Sequence, residues 1–198
     1  YTIIEGVAWD HIPLTQEAID LVKEADAICF GTLAQRSPES CATIHALLSY
    51  ACKEALRFFD INIRQSYYSK ELIETLLHKA NVFKVNDEEL VLLRGMCDLE
   101  GSDEEVCRKM LRKYNLKYVI LTAGSAFSSI YSPDEQSTIP TPKVEVVDTV
   151  GAGDSFSGAF VYSLLTGKSL REAHQIAVET AAFVCTREGA WPPYPNKD

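Results

Sequence analysis

The chain has 198 residues, 46% of them hydrophobic and 24% charged, and carries a formal net charge of −9. That is enough apolar material for one large globular domain with a real core, and it argues against a disordered chain; the negative charge argues against a nucleic-acid surface, which needs clustered Lys and Arg to neutralise phosphates. No apolar run is long enough to cross a bilayer, and the opening YTIIEGVAWD lacks the basic patch and small-residue cleavage site of a signal peptide, so the chain reads as soluble.

Tyr1 already stands in a stretch with strand character, which suggests a piece of a longer polypeptide. From Thr15 the run TQEAIDLVKEA places Ala18, Ile19, Val22 and Ala25 on one helical face, and AICFGT, from Ala27, reads as a buried strand. A helix begins at Ser37-Pro38, where the missing proline N–H costs nothing, with Ile44, Leu47, Leu48, Ala51 and Ala55 on its stripe; strand RFFDINI follows. Ser69 caps KELIETLLHKA, NVFKVN is the next strand, a short helix covers DEELVLL, and Ser102 with Glu105 forms a capping box ahead of strand YVILTAG from Tyr118. FSSIYS, from Phe127, and KVEVV, from Lys143, read as shorter strands joined by a Pro/Ser-rich loop. Two long helices close the chain, one ending at Gly167 and one opening with the box of Ser169 and Glu172. Alternating strands and helices predict a parallel sheet with covering helices, and no linker or internal repeat divides the chain.

Six cysteines are scattered without a CxxC pair, which favours a reducing cytoplasm over a disulfide framework. The four histidines show no metal-ligand spacing.

In open parallel sheets ligands gather beyond the carboxyl ends of the strands, and those positions are polar in this chain: Gly31-Thr32, then Asp60, Asn62 and Arg64, then Asn86 to Glu89, then Thr122 and Gly124. The segment DTVGAGDSFSGAF, Asp148 to Phe160, opens a helix with small residues only. A helix N-terminus presents unpaired N–H groups and partial positive charge, and Gly151, Ala152 and Gly153 leave the approach open to an anion. Asp154 then either favours the helix dipole or accepts the proton of an attacking hydroxyl beside the anion. A dinucleotide-binding turn would place GxGxxG straight after the first strand; this motif is late and has no third glycine in phase.

The same thirteen residues resemble the signature of the ribokinase-like, or PfkB-type, carbohydrate kinases. The resemblance implies that Asp154 is the catalytic base and that Gly151, Ala152 and Gly153 form the anion hole. KVNDEE is similar to the family's NxxE element, which implies that Asn86 and Glu89 order Mg²⁺, its waters and the phosphates of ATP; Asp87 and Glu88 suit the helix dipole alone. FDINIR resembles the fructokinase branch and puts Asn62 and Arg64 within reach of sugar or phosphate oxygens, with Asp60 orienting Arg64. FGTLAQR is similar to that branch too, although an arginine ahead of a helix, as Arg36 is, is more often solvated than catalytic. Thr122 and Gly124 match a TxGxxG element bordering the nucleotide, whereas Phe127 stands where its last glycine belongs. AVETAAFVCTREGAW resembles part of an adenine pocket. Asp148, with carbonyls near Val150 and Gly189, is a candidate for a monovalent cation such as K⁺.

The implied fold is a three-layer αβα sandwich with a mostly parallel sheet, residues 1–198 forming the C-terminal nucleotide-binding and catalytic part of a single ribokinase-like domain. The N-terminal strands and the β lid have no counterpart in this sequence, which leaves an edge inviting a homodimer or association with a missing N-terminal segment. The implied activity is ATP-dependent transfer of a phosphoryl group to a primary hydroxyl of fructose in the cytoplasm, with ATP and the sugar as its small-molecule partners and neither nucleic acid nor membrane among them. Another sugar or nucleoside kinase of the family, or a non-catalytic nucleotide-binding remnant, stays open.

Overall fold

The computed structural model describes residues 3–194. Tyr1, in the stretch given strand character above, lies outside those residues, and residues 3–7 form no strand. The regular elements are α1 (Gln16–Glu24), β1 (Ala27–Phe30), α2 (Pro38–Tyr50), β2 (Leu56–Asp60), α3 (Lys70–Lys79), β3 (Val82–Asn86), α4 (Asp87–Cys97), α5 (Asp103–Lys113), β4 (Tyr118–Ala123), β5 (Phe127–Tyr131), β6 (Gln136–Pro140), α6 (Ala152–Leu165) and α7 (Leu170–Cys185).

The strands form a six-stranded sheet in the order β1-β2-β3-β4-β5-β6. β1, β2 and β3 are parallel, with Phe30 opposite Phe59 and Phe59 opposite Phe83, and α2 and α3 supply the crossovers that parallel pairing demands. The links at 124–126 and 132–135 are too short for a crossover, so β4, β5 and β6 run as an antiparallel meander. This is the α/β class expected, a three-layer fold on a mostly parallel sheet.

Two compact units make up the chain. The first holds α1–α5, β1–β3 and residues 118–121 of β4. Its core is the strand residues Phe58, Phe59, Val82, Phe83 and Val85, closed by Ile73, Leu76 and Leu77 of α3, Leu90 and Leu93 of α4, and Met110 of α5. Each such side chain contributes roughly 1.5–3 kcal/mol by leaving water. The Phe59 ring stacks on Phe30 at 5.4 Å and tilts against Phe83 at 5.5 Å. Packing thins toward β1: α1 has no buried residue and Leu21 is 64% exposed. Ala18, Ile19, Val22 and Ala25 do face inward, half-buried, while α2 buries Ser40, Thr43 and Leu48 rather than the whole apolar stripe.

The second unit holds α6, α7, β6 and residues 127–130 of β5. Phe160, Ala173, Ala177 and Val184 are completely buried there. His174 is too, held between Ser128 Oγ (2.8 Å from Nε2) and Ser137 Oγ (2.8 Å from Nδ1), so α7 is tied to β5 and β6 by polar groups as well as apolar ones.

Helix starts follow the local code. Ser69 Oγ accepts from Leu72 N–H, and the boxes Ser102–Glu105 and Ser169–Glu172 both close. The chain after β5 departs from expectation. The third strand of the meander, Gln136–Pro140, lies inside the expected loop, and KVEVV is not a strand. Its Val146 and Val147 are 59% and 55% exposed, and Val147 N–H donates to the Cys185 carbonyl. An alternating apolar pattern without a ladder partner makes no strand.

Candidate active site

In the first unit the strand ends converge through backbone rather than side chains. A Cβ on Gly31 would stand 2.9 Å from the carbonyl oxygen of Asp60, so only glycine lets the β1 end approach β2 this closely. Thr32, fully buried, donates its hydroxyl to the Ile61 carbonyl at 2.8 Å.

Asn86 and Glu89 are brought together as a capping box: Asn86 Oδ1 accepts from Glu89 N–H at 2.8 Å, and Glu89 Oε2 accepts from Asn86 N–H at 2.9 Å. The other Glu89 oxygen accepts from Ile63 N–H at 2.8 Å, so one carboxylate pins the segment after β2 to the start of α4. Glu89 is 6% exposed; burial pushes its pKa up, opposed by the two N–H groups and the Lys84 ammonium. Asp87 and Glu88 are exposed in the first turn, where they suit the helix dipole.

Asn62 and Arg64 flank Ile63 and are half-buried. Asn62 sits at φ 43° and Gln65 at φ 50°, left-handed conformations that non-glycine residues adopt at a cost. Arg64 Nη1 donates to the Ile63 carbonyl at 3.1 Å. Asp60, expected to orient Arg64, pairs with Lys84 Nζ at 2.6 Å, a buried lysine that sequence reasoning passed over. Lys84 lies opposite Asp60 in the β2–β3 register, and a lysine inside an apolar strand with an aspartate at the end of its neighbour is the signal that would have found it.

Arg36 is not solvated: its side chain is 6% exposed and forks onto Asp10, Nε to Oδ1 at 2.7 Å and Nη2 to Oδ2 at 2.8 Å. The guanidinium, helped by the N–H groups of Val7 and Gly6, lowers the Asp10 pKa to about 2. Desolvation forces such pairing, because a buried guanidinium without a counter-charge is far costlier than an exposed one.

In the second unit Gly151 caps α6 at φ 81°, with no side chain closing the helix start. A Cβ there would run into the backbone of Ala190, so a glycine is required both by its φ and by that approach. Ala152 N–H donates to the Thr149 carbonyl ahead of the helix at 3.3 Å, the next N–H groups have no partner within the helix, and Gly153 and Asp154 in its first turn are exposed. Asp148 ties the flanking loops: Oδ1 accepts from Val150 N–H at 3.0 Å and Oδ2 from Gly189 N–H at 3.1 Å, and these bonds lower its pKa. The structure thus joins Asp148 to Val150 and Gly189 through their N–H groups, where carbonyls were expected to matter. Thr122 and Gly124 end β4 and open the tight link to β5; Gly124 is at φ 48° and its carbonyl accepts from Thr141 Oγ1 at 2.8 Å. Phe127 begins β5, half-buried.

Among the described residues no group of three or more His, Cys, Asp or Glu is arranged to hold a metal ion. Each Glu89 carboxylate oxygen accepts one N–H bond and keeps a lone pair for a further donor.

Residues 5–197 match the model of the pfkB family carbohydrate kinases. Fructokinase-1 of Oryza sativa subsp. japonica is 30% identical over 193 residues, a match covering 90% of this chain and 58% of the relative, and probable fructokinase-5 of Arabidopsis thaliana is 34% identical over 192 residues, covering 89% and 57%. This chain therefore spans somewhat more than half the length of these relatives. In fold it is similar to the fructokinase from Vibrio cholerae O395 solved with fructose, ADP and calcium, with a TM-score of 0.71 at 23% identity, over 83% of this chain and 56% of that one.

Proposed function

The chain belongs to the pfkB family of carbohydrate kinases, and on that premise we propose that it is the C-terminal nucleotide-binding and catalytic part of an ATP-dependent sugar kinase, with fructose as the acceptor. The observation that carries the reading is the start of α6: a helix whose N-terminus is bare of capping side chains, opened by a left-handed Gly151, with the exposed carboxylate of Asp154 in its first turn. The N–H groups of 151 to 154 hold the transferred phosphoryl oxygens and stabilise the charge that develops on them. Asp154 accepts the proton of the primary hydroxyl as that oxygen attacks the γ-phosphorus, and the bond to the ADP oxygen breaks. The chemistry that a Mg²⁺ brought in with the nucleotide would supply is neutralisation of phosphate charge. Asn86 and Glu89 would order its waters, Thr122 and Gly124 would border the nucleotide, Asn62 and Arg64 would reach sugar or phosphate oxygens, and Asp148, whose oxygens keep lone pairs beside their two N–H bonds, would help to hold a K⁺. The choice of fructose follows the names of the relatives, and the free state of all six cysteines fits a cytoplasmic setting.

Titration with Mg·ATP followed by an assay of ADP release with and without fructose tests the reading; fructose-dependent release is expected. Because the chain spans little more than half of its relatives, a nucleotide-binding remnant is the second reading, and it predicts binding without sugar-dependent turnover. Asp154→Asn keeps size and removes the base: kcat falls by roughly 10²–10⁴-fold while Mg·ATP binding persists. Retained turnover would exclude Asp154 as the base.

A further inference from the structure

The Asn62–Tyr67 segment holds two non-glycine residues at positive φ, and such conformations persist only where the surroundings over-determine them. One end is fixed by Glu89 through the Ile63 N–H. The other end is Tyr67, whose N–H closes the turn on the Arg64 carbonyl at 3.2 Å and whose hydroxyl donates to Glu5 Oε1 at 2.7 Å.

Tyr67 also faces Arg36. The guanidinium carbon lies 4.7 Å from the centre of the ring. Two of the three guanidinium nitrogens are spent on Asp10 and on the Ile4 carbonyl, whereas Nη1 is buried with no hydrogen-bond partner. A buried donor without an acceptor is costly, and the π-face is the compensation that remains. A cation locked by a two-pronged carboxylate therefore sets the ring, and the ring sets the turn.

We propose that Arg36 is a positioning residue, acting through Tyr67 to hold Asn62 and Arg64 where they meet an oxyanion or hydroxyl of the substrates. The proposal rests on the kinase reading for what Arg64 meets, and on geometry alone for the coupling from Arg36 to the turn. Removing Arg36 would strand the Asp10 carboxylate in a buried site and risk unfolding, so the test is made at Tyr67 in the full chain.

Tyr67→Leu, which removes the π-face, raises KM for sugar or for Mg·ATP on the order of 10-fold with little change in kcat, and Tyr67→Phe, which keeps the ring, rescues most of that loss. The KM that rises identifies the substrate that Arg64 touches. In an Arg64→Met background Tyr67→Leu adds no more than about twofold, because its effect already runs through the missing group. Unchanged KM values, or independent effects that multiply in the double variant, overturn the proposal. Amide hydrogen exchange of residues 61–68 is read in parallel and needs no turnover: it quickens in Tyr67→Leu while α3 keeps its protection. Unchanged exchange overturns the coupling. Quickened exchange in a chain that never phosphorylates a sugar leaves the coupling standing and removes the kinase reading.

Discussion

At the scale of single residues, two glycines of α6 make opposite demands. Gly151 combines φ 81° with the close backbone of Ala190, so Gly151→Ala is expected to destabilise by about 1–3 kcal/mol. Gly158 has nothing within 4 Å of its would-be Cβ, so Gly158→Ala is expected to stabilise by about 0.5–1 kcal/mol. Thermal unfolding of the pair checks both, and equal shifts would show that the approach to Ala190 does not constrain residue 151. The small residues of GAGD made a helix start free of capping side chains legible, since that reading needs only side-chain size. It left Ala190 invisible as the reason for Gly151. For the same reason the role of Asp10 could not be read: the partner of Arg36 lies 26 residues away, and no local pattern encodes that pairing.

At the scale of elements, what is local in the chain was legible and what is cross-strand was not. The serine caps of α3, α5 and α7 need only a residue three positions on, and all three form. Asn86 and Glu89, read for their chemistry, close a capping box like those of α5 and α7. By contrast QSTIP carries little apolar signal and becomes β6 through its neighbour in the meander, whereas KVEVV has the pattern and no partner. The His174 bridge gives the meander a pH signature. Burial lowers the His174 pKa to about 4, below the ordinary histidine value near 6.5, so the folded state favours the neutral ring. The unfolded chain then binds the extra proton first as pH falls. This contribution is fully present above about pH 6.5, declines through the window down to about pH 4, and amounts to ~3 kcal/mol at most. Urea midpoints measured across that window should fall in the native chain, and the part of the slope due to the ring should vanish in His174→Gln. An unaltered slope would assign it to carboxylates instead.

At the scale of the whole molecule, the strand at one end of the sheet, β1, follows a helix with no buried residue, α1, and the Cys29 side of that strand is exposed. Edges of this kind template pairing with another chain, which natural proteins suppress with charge. A Cys29→Lys variant, which puts the charge on that exposed side, is expected to lower any concentration-dependent association seen by light scattering, with the thermal midpoint little changed. The second unit carries a different kind of consequence. Trp191, 88% exposed, directly follows the alanine whose backbone rests on Gly151. The chain has one other tryptophan, Trp9, which belongs to the first unit. In a Trp9→Phe protein the emission of Trp191 becomes an intrinsic optical gauge of whatever arrives at the α6 start. A saturable change in its intensity as Mg·ATP is added would time that arrival without any label, and a flat signal would place the triphosphate elsewhere.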